Sequence, residues 1–302
     1  MASFDISNHY LLCLLFIVGL VAGMVDAIVG GGGLITLPAL FGVGLPPSIA
    51  IGTNKLQAFF GTFSATLSFY RKKMYSIRTI SKGIIPILGG ALLGAIVSQS
   101  LSVAVLSNIM PFLLLFILTY VILAPKFGSE DLTPKMNEIF FYLLGGILLG
   151  FYDGFFGPGV GSLWIFALSY FLGYNLLKAS AYTKVFNLVS NVVATVCFII
   201  GGNINYKIAV VMAMGQFIGG KIGTRVALKG GFIVIRPLFM LVSAGVISML
   251  IYKNSPGDQN NLMMFGCFLM GLTIFVITRW LKNNGMTLVR FKHRPNRYAQ
   301  QE

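Results

Sequence analysis

Apolar stretches near membrane-spanning length recur nine times along this 302-residue chain, at 10–28, 48–70, 79–98, 103–123, 137–156, 179–200, 206–228, 232–252 and 262–280. About twenty apolar residues cross the hydrocarbon of a bilayer as a helix. Only 10% of the residues are charged and 56% are hydrophobic. A soluble domain carries about 25% charged residues, so this chain lacks the charge to clothe a water-facing surface. Lipid offers no partner to a backbone N–H or C=O, which leaves helices as the expected element. The chain reads as an all-α polytopic membrane protein with the lipid bilayer as its solvent.

Two carboxylates stand apart from that pattern. Asp26 opens DAIVGGGGLITLPAL and Asp153 opens DGFFGPGVGSLWIF, each at the end of a long apolar run. The other six acidic residues, Asp5, Glu130, Asp131, Glu138, Asp258 and Glu302, fall at termini or in loops. A carboxylate inside a membrane segment costs about 2.5–3.5 kcal/mol on insertion scales and is a functional candidate by default. The glycine break after each leaves backbone groups that are tolerated only where they line a protein-enclosed cavity.

The two sites belong to an internal duplication. Asp26 and Gly30 recur 127 residues later as Asp153 and Gly157. With a two-residue slip, Lys55, Ala65-Thr66-x-x-Phe69, Gly90 and Gly94 recur 129 later as Lys184, Ala194-Thr195-x-x-Phe198, Gly219 and Gly223. The pattern predicts a first repeat in 1–124, a cytoplasmic linker at 125–136, a second repeat in 137–252, and an extra helix with a basic cytoplasmic tail in 253–302.

Charge placement orients the halves. If the short apolar runs 34–44 and 162–172 do not cross, the loop and tail cations divide almost evenly between the two sides. If each counts as a crossing, seventeen fall on one side and only Lys207 and Lys253 on the other. The positive-inside rule selects the second arrangement, with the N-terminus outside and the C-terminus cytoplasmic. Five crossings per half invert the repeats relative to each other, the architecture of many secondary transporters. Eleven residues rise only about 16 Å as a helix, so broken segments meeting near the midplane are expected. The first apolar run lacks a basic flank and a convincing cleavage site, and reads as a retained helix.

Around the aspartates lie further candidates for substrate binding or coupling. Gly30, Gly31, Gly32 and Gly33, with Gly157, Pro158 and Gly159, could turn consecutive amides toward an anion. Equally, they could serve close helix packing or a tight turn. Thr53, Asn54, Lys55 and Gln57 lie in TNKLQ, inside an otherwise apolar run, and the second half supplies Thr183, Lys184 and Asn187. A lysine buried in a membrane helix needs a partner. Pairs within each repeat, Asp26–Lys55 and Asp153–Lys184, would neutralise the site structurally; alternatively the lysines bind substrate, or Lys55 snorkels to a membrane face. The aspartates either carry a coupling proton or cap the following helix break. Asn54, Gln57, Asn187 and Asn191 could donate to anionic oxygens or simply bond between helices; Gln216 and Lys221 are weaker candidates.

Other features exclude more than they suggest. Cys13, Cys197 and Cys267 are odd in number and lack metal-ligand spacing. His9 and His293 lie outside the apolar runs. No metal or cofactor is expected. Trp164 and Trp280 are expected near the headgroups. The net charge of +14 sits mostly in short loops and the tail RFKHRPNR. No aromatic-interleaved basic module accompanies it, which argues against nucleic acid.

The pattern G-x-x-D-A-x-x-GGGG-L-I-T-x-P-A-L, with TNKLQ and GFYDGFFGPGVGS, resembles the sulfite exporter TauE/SafE family over about residues 10–252, in its "probable membrane transporter" branch. The resemblance implies a bacterial cytoplasmic-membrane transporter of small anions, typically sulfite, sulfonates or related organosulfur or carboxylate compounds. It carries the signature onto Asp26, Gly30 to Gly33, Thr53, Asn54, Lys55, Gln57, Asp153, Gly157, Pro158 and Gly159. The resulting expectation is a secondary transporter, not an enzyme, coupled to protons and favouring export. A passive anion channel is the first rival and an intramembrane enzyme the second. No GxxxxGK[ST] loop is present to bind ATP.

Overall fold

The structure, a computed structural model, describes residues 9–102, 104–106 and 131–229. The expected runs at 232–252 and 262–280, nearly all of 103–123, half of the linker (125–130), and Cys267, Trp280 and the basic tail lie outside the described residues. All regular structure among the described residues is helical: α1 His9–Val29, α2 Gly33–Gly42, α3 Pro47–Tyr70, α4 Ile77–Ser100, α5 Glu138–Phe155, α6 Val160–Phe171, α7 Leu176–Ile200 and α8 Tyr206–Leu228. The order long, short, long, long thus occurs twice.

Local chemistry sets the helix starts. Pro47 opens α3, where its missing N–H costs nothing. Asn137, Asn175 and Asn205 cap α5, α7 and α8, each side-chain oxygen accepting from an N–H of the first turn. The left-handed turn that precedes α6 falls on Gly159, at φ 77°.

Among the described residues, four helices are long and apolar enough to cross a membrane: α1, α4, α5 and α7. α3 and α8 match them in length but are less apolar than α1 or α5, because both carry polar residues in their interiors. α2 and α6, at 10 and 12 residues, are too short to span alone. Large apolar side chains stand exposed on the outer faces of α4, α5 and α8, as a lipid-facing surface requires.

Helix partners are exchanged between the halves. The first helix of each half packs on the last described helix of the other, α1 with α8 and α5 with α4. Likewise α3 packs on α8 as α7 packs on α4, and α3 and α7 meet each other at the centre. Small residues make both outer seams. In one, a Cβ on Gly23 or Gly219 would run into the backbone of Gln216 or Leu20. In the other, a Cβ on Gly150 or Gly94 would meet the backbone of Ile87 or Phe151. Backbones that approach this closely gain van der Waals contact, the main attraction between helices in lipid.

Trp164 departs from its expected place. Its indole is fully buried, 4.8 Å from the Phe186 ring and 6.3 Å from Phe141. α6 is flanked by α5 and α7, so this ring fills the interior of the second half and does not anchor near headgroups.

Candidate functional site

The glycine breaks bring the two halves together. At the end of α1, Gly30 (φ 79°) still donates to the Asp26 carbonyl at 2.8 Å, and the chain then turns into α2. A Cβ on Gly30 would sit 2.7 Å from the Ser162 amide nitrogen, and one on Gly33 would sit 3.0 Å from Pro158 Cα. The break of each half therefore abuts the break of the other, at a distance only glycine permits. Tyr152 braces the second break by donating from its hydroxyl to the Pro158 carbonyl at 2.7 Å.

Both lysines reach this junction, and each crosses to the opposite half. Lys55 Nζ lies 2.6 Å from Asp153 Oδ1 and also donates to the Asp153 carbonyl. Lys184 Nζ lies 2.9 Å from Asp26 Oδ2 and also donates to the Asp26 carbonyl. The expected pairs within each repeat, Asp26–Lys55 and Asp153–Lys184, are thus overturned. α3 and α7 pack on each other, and each lysine extends past that contact to the C-terminal end of the other half's first helix. Both lysine side chains are buried, so neither snorkels. Gly157 (φ 97°) makes room for this contact, since a Cβ there would come within 2.5 Å of Lys55 Nζ.

The pairs are equivalent in pattern but not in surroundings. Asp153 is sealed, its side chain 3% exposed, and its second carboxylate oxygen accepts from the Ser190 hydroxyl. Residue 61, the position equivalent to Ser190 at the 129-residue shift, is glycine, and there the Gln216 side chain lies close. Asp26 instead accepts from the Gly32 N–H at 3.3 Å, and its side chain is 17% exposed. That weak contact is the capping role anticipated for both aspartates, and only Asp26 shows it.

The remaining candidates divide into scaffold and lining. Asn54 Oδ1 accepts from Thr36 Oγ1 at 2.5 Å and from Gln57 Nε2 at 2.9 Å, tying α2 to α3. Thr53 Oγ1 accepts from the Asn205 N–H at 2.9 Å; at the equivalent position the Tyr182 hydroxyl accepts from the Ser76 N–H at 3.1 Å. Gln57 Oε1, Thr183 Oγ1 and Asn187 Oδ1 are buried and make no hydrogen bond within the described protein. Asn191 and Gln216 are buried, whereas Lys221 is exposed. Sequence reasoning passed over Ser190, Thr36 and Tyr182. Ser190 had a legible signal, as a hydroxyl where the first repeat has Gly61.

Comparison with known proteins places this architecture. The family model for the sulfite exporter TauE/SafE matches residues 15–250. The "Probable membrane transporter protein" of Haemophilus influenzae is 43% identical over 242 residues, covering 80% of this chain and 95% of the relative. The Escherichia coli K12 "Probable membrane transporter protein YfcA" is 42% identical over 244 residues, covering 81% and 91%. The Sinorhizobium "Probable membrane transporter protein ORF9" is 40% identical over 239 residues, covering 79% and 91%. No solved structure matches the chain significantly. The chain belongs to the sulfite exporter TauE/SafE family of membrane transporters.

Proposed function

We propose that the protein is a secondary transporter of small anions, such as sulfite, sulfonates or related organosulfur and carboxylate compounds, coupled to protons through Asp26 and Asp153. The observation that carries this reading is the pair of crossed lysine–aspartate contacts at two abutting glycine breaks. An anion entering there finds an ammonium group, while the displaced carboxylate can accept a proton. Gln57 Oε1, Thr183 Oγ1 and Asn187 Oδ1 offer buried polar atoms without a partner among the described residues. The exchange of helix partners between the halves supports an inverted-repeat architecture with alternating access. The seventeen-to-two division of loop and tail cations supports a cytoplasmic C-terminus and an outside N-terminus in a bacterial inner membrane. The family description favours export.

Uptake into proteoliposomes under an imposed pH gradient tests this function, screening sulfite, thiosulfate, sulfoacetate and small carboxylates. Gradient-driven flux should appear for at least one anion, fall in Lys55→Ala, and lose its pH dependence in Asp153→Asn. Flux unchanged by either substitution would remove these residues from the transport path. Uncoupled, non-saturating current would make the protein a channel.

A further inference from the structure

The charges at the junction balance, and the balance has a consequence for what moves. Two ammonium groups face two carboxylates, and the other described carboxylates, Asp131 and Glu138, sit with exposed lysines at the edge. The helices packed against α1 carry Lys55, Lys178, Lys184, Lys207, Lys221 and Arg225. Of these, Lys55 and Lys178 are committed to Asp153 and Asp131, and Lys207, Lys221 and Arg225 are exposed. Among the described residues, Lys184 is the cation that faces Asp26. The helices around α5 add Arg78 and Lys82, both exposed, the latter paired with Glu138. An anion that takes the Lys184 ammonium leaves Asp26 as a largely enclosed charge, 17% exposed, without its counter-ion. A proton on that carboxylate restores neutrality, and a second proton would leave an excess positive charge. Burying either excess costs several kcal/mol.

Resting on the proposed anion-transport reading, we infer that the protein moves one proton with each monovalent anion in the same direction, so that transport carries no net charge. In the conformation described, the exchange takes place at Lys184–Asp26. That aspartate is the more exposed of the two and holds only a long contact to Gly32, whereas Asp153 is closed in by Lys55 and Ser190. The step is a proton transfer from a hydronium ion of the entering water to an Asp26 carboxylate oxygen, leaving neutral water, as the anion replaces that oxygen on Lys184 Nζ. No bond of the substrate changes.

The test uses radiolabelled methanesulfonate, a monoanion with no proton of its own at working pH, in proteoliposomes of the full chain. Membrane potential is clamped with potassium and valinomycin. One unit of pH difference should accumulate methanesulfonate about tenfold at zero potential. Imposing 100 mV of either sign should leave that accumulation unchanged, whereas a naked monoanion would shift roughly 50-fold. Potential-dependent accumulation overturns the one-to-one stoichiometry and leaves the transporter reading standing. Exclusion of methanesulfonate while sulfite or thiosulfate moves overturns the monovalent class. Absence of flux for every anion removes the transporter reading and this inference with it. In Asp26→Asn the pH-driven accumulation should vanish; its persistence would move the proton elsewhere. The stoichiometry is read from the unmodified protein, so a poorly folding variant does not affect it.

Discussion

Replacing Lys55 with Met keeps most of the buried volume of that side chain and removes its charge. Asp153 then remains behind, 3% exposed, with the Ser190 hydroxyl as its one remaining side-chain donor among the described residues. Breaking a buried ion pair by deleting one partner typically costs 3–5 kcal/mol, because the other charge is stranded. The retained Ser190 contact places the expected loss near the lower end, about 3 kcal/mol. At roughly 2–4 °C per kcal/mol for a domain of comparable size, the midpoint should fall on the order of 10 °C. The assay is the monomeric peak surviving on a sizing column after heating in detergent. The double variant Lys55→Met/Asp153→Asn removes the stranded charge and should recover most of the loss. Lys55→Met/Asp26→Asn should recover none, because Asp26 belongs to Lys184. Rescue by the Asp26 substitution in place of the Asp153 one would refute the crossed pairing.

Ser190→Ala should lower stability by about 1.5–3 kcal/mol, the worth of a hydrogen bond to a charged group, read in the same heating assay. Gly219→Val should cost more than 1–3 kcal/mol, since its Cβ meets the Leu20 backbone and not a flexible side chain; a neutral result would mean that α1 and α8 do not pack as described. Asp131 lies outside the spanning helices. Partial burial pushes its carboxyl up, but the Asn175 N–H and side chain and the nearby Lys178 outweigh this and hold it below the usual range. A depressed folded-state value stabilises above the unfolded pKa and is lost as pH falls through the folded one. Asp131→Asn should therefore flatten the acid end of the stability curve below about pH 4, by less than 1 kcal/mol for so exposed a pair. In Trp280→Phe, emission from Trp164 should be blue-shifted and shielded from iodide; a solvent-like spectrum would place the indole outside the aromatic cluster.

Helix boundaries were largely legible, because apolar length and polar interruption are properties of consecutive residues. The runs at 48–70 and 206–228 became helices over Pro47–Tyr70 and Tyr206–Leu228. The short runs emerged as α2 and α6 for the same reason, with glycine and proline marking their starts. The partners of the lysines were not legible. A shift of 127 to 129 residues says that Lys55 and Lys184 are equivalent, and it is silent on which aspartate each one meets. That depends on which helices cross at the centre, a property of long-range packing. Trp164 was misplaced because a tryptophan near the end of an apolar segment looks the same whether its helix is the outer wall or, as here, lies between two others. That Asp26 and Asp153 differ was hinted at in the sequence by Pro158 standing where the first repeat has Gly31; the further change of Gly61 to Ser190 took its meaning only from the hydroxyl reaching the carboxylate.

The crossing of partners also bears on how the chain is made. During synthesis the first half leaves the ribosome carrying Lys55 and Asp26, and neither has its counterpart until α5 and α7 have followed, 98 residues later for Lys55 and 158 for Asp26. α1 and α4 likewise wait for α8 and α5 to cover their glycine faces. The early segments must therefore rest beside the insertion machinery, or near the headgroups, until the second half arrives. Assembly is then a single late closure and not a stepwise stacking of finished hairpins. A chain truncated after α4 should be a substrate for membrane quality control, while the same two halves produced together as separate polypeptides contain everything needed to complete each other.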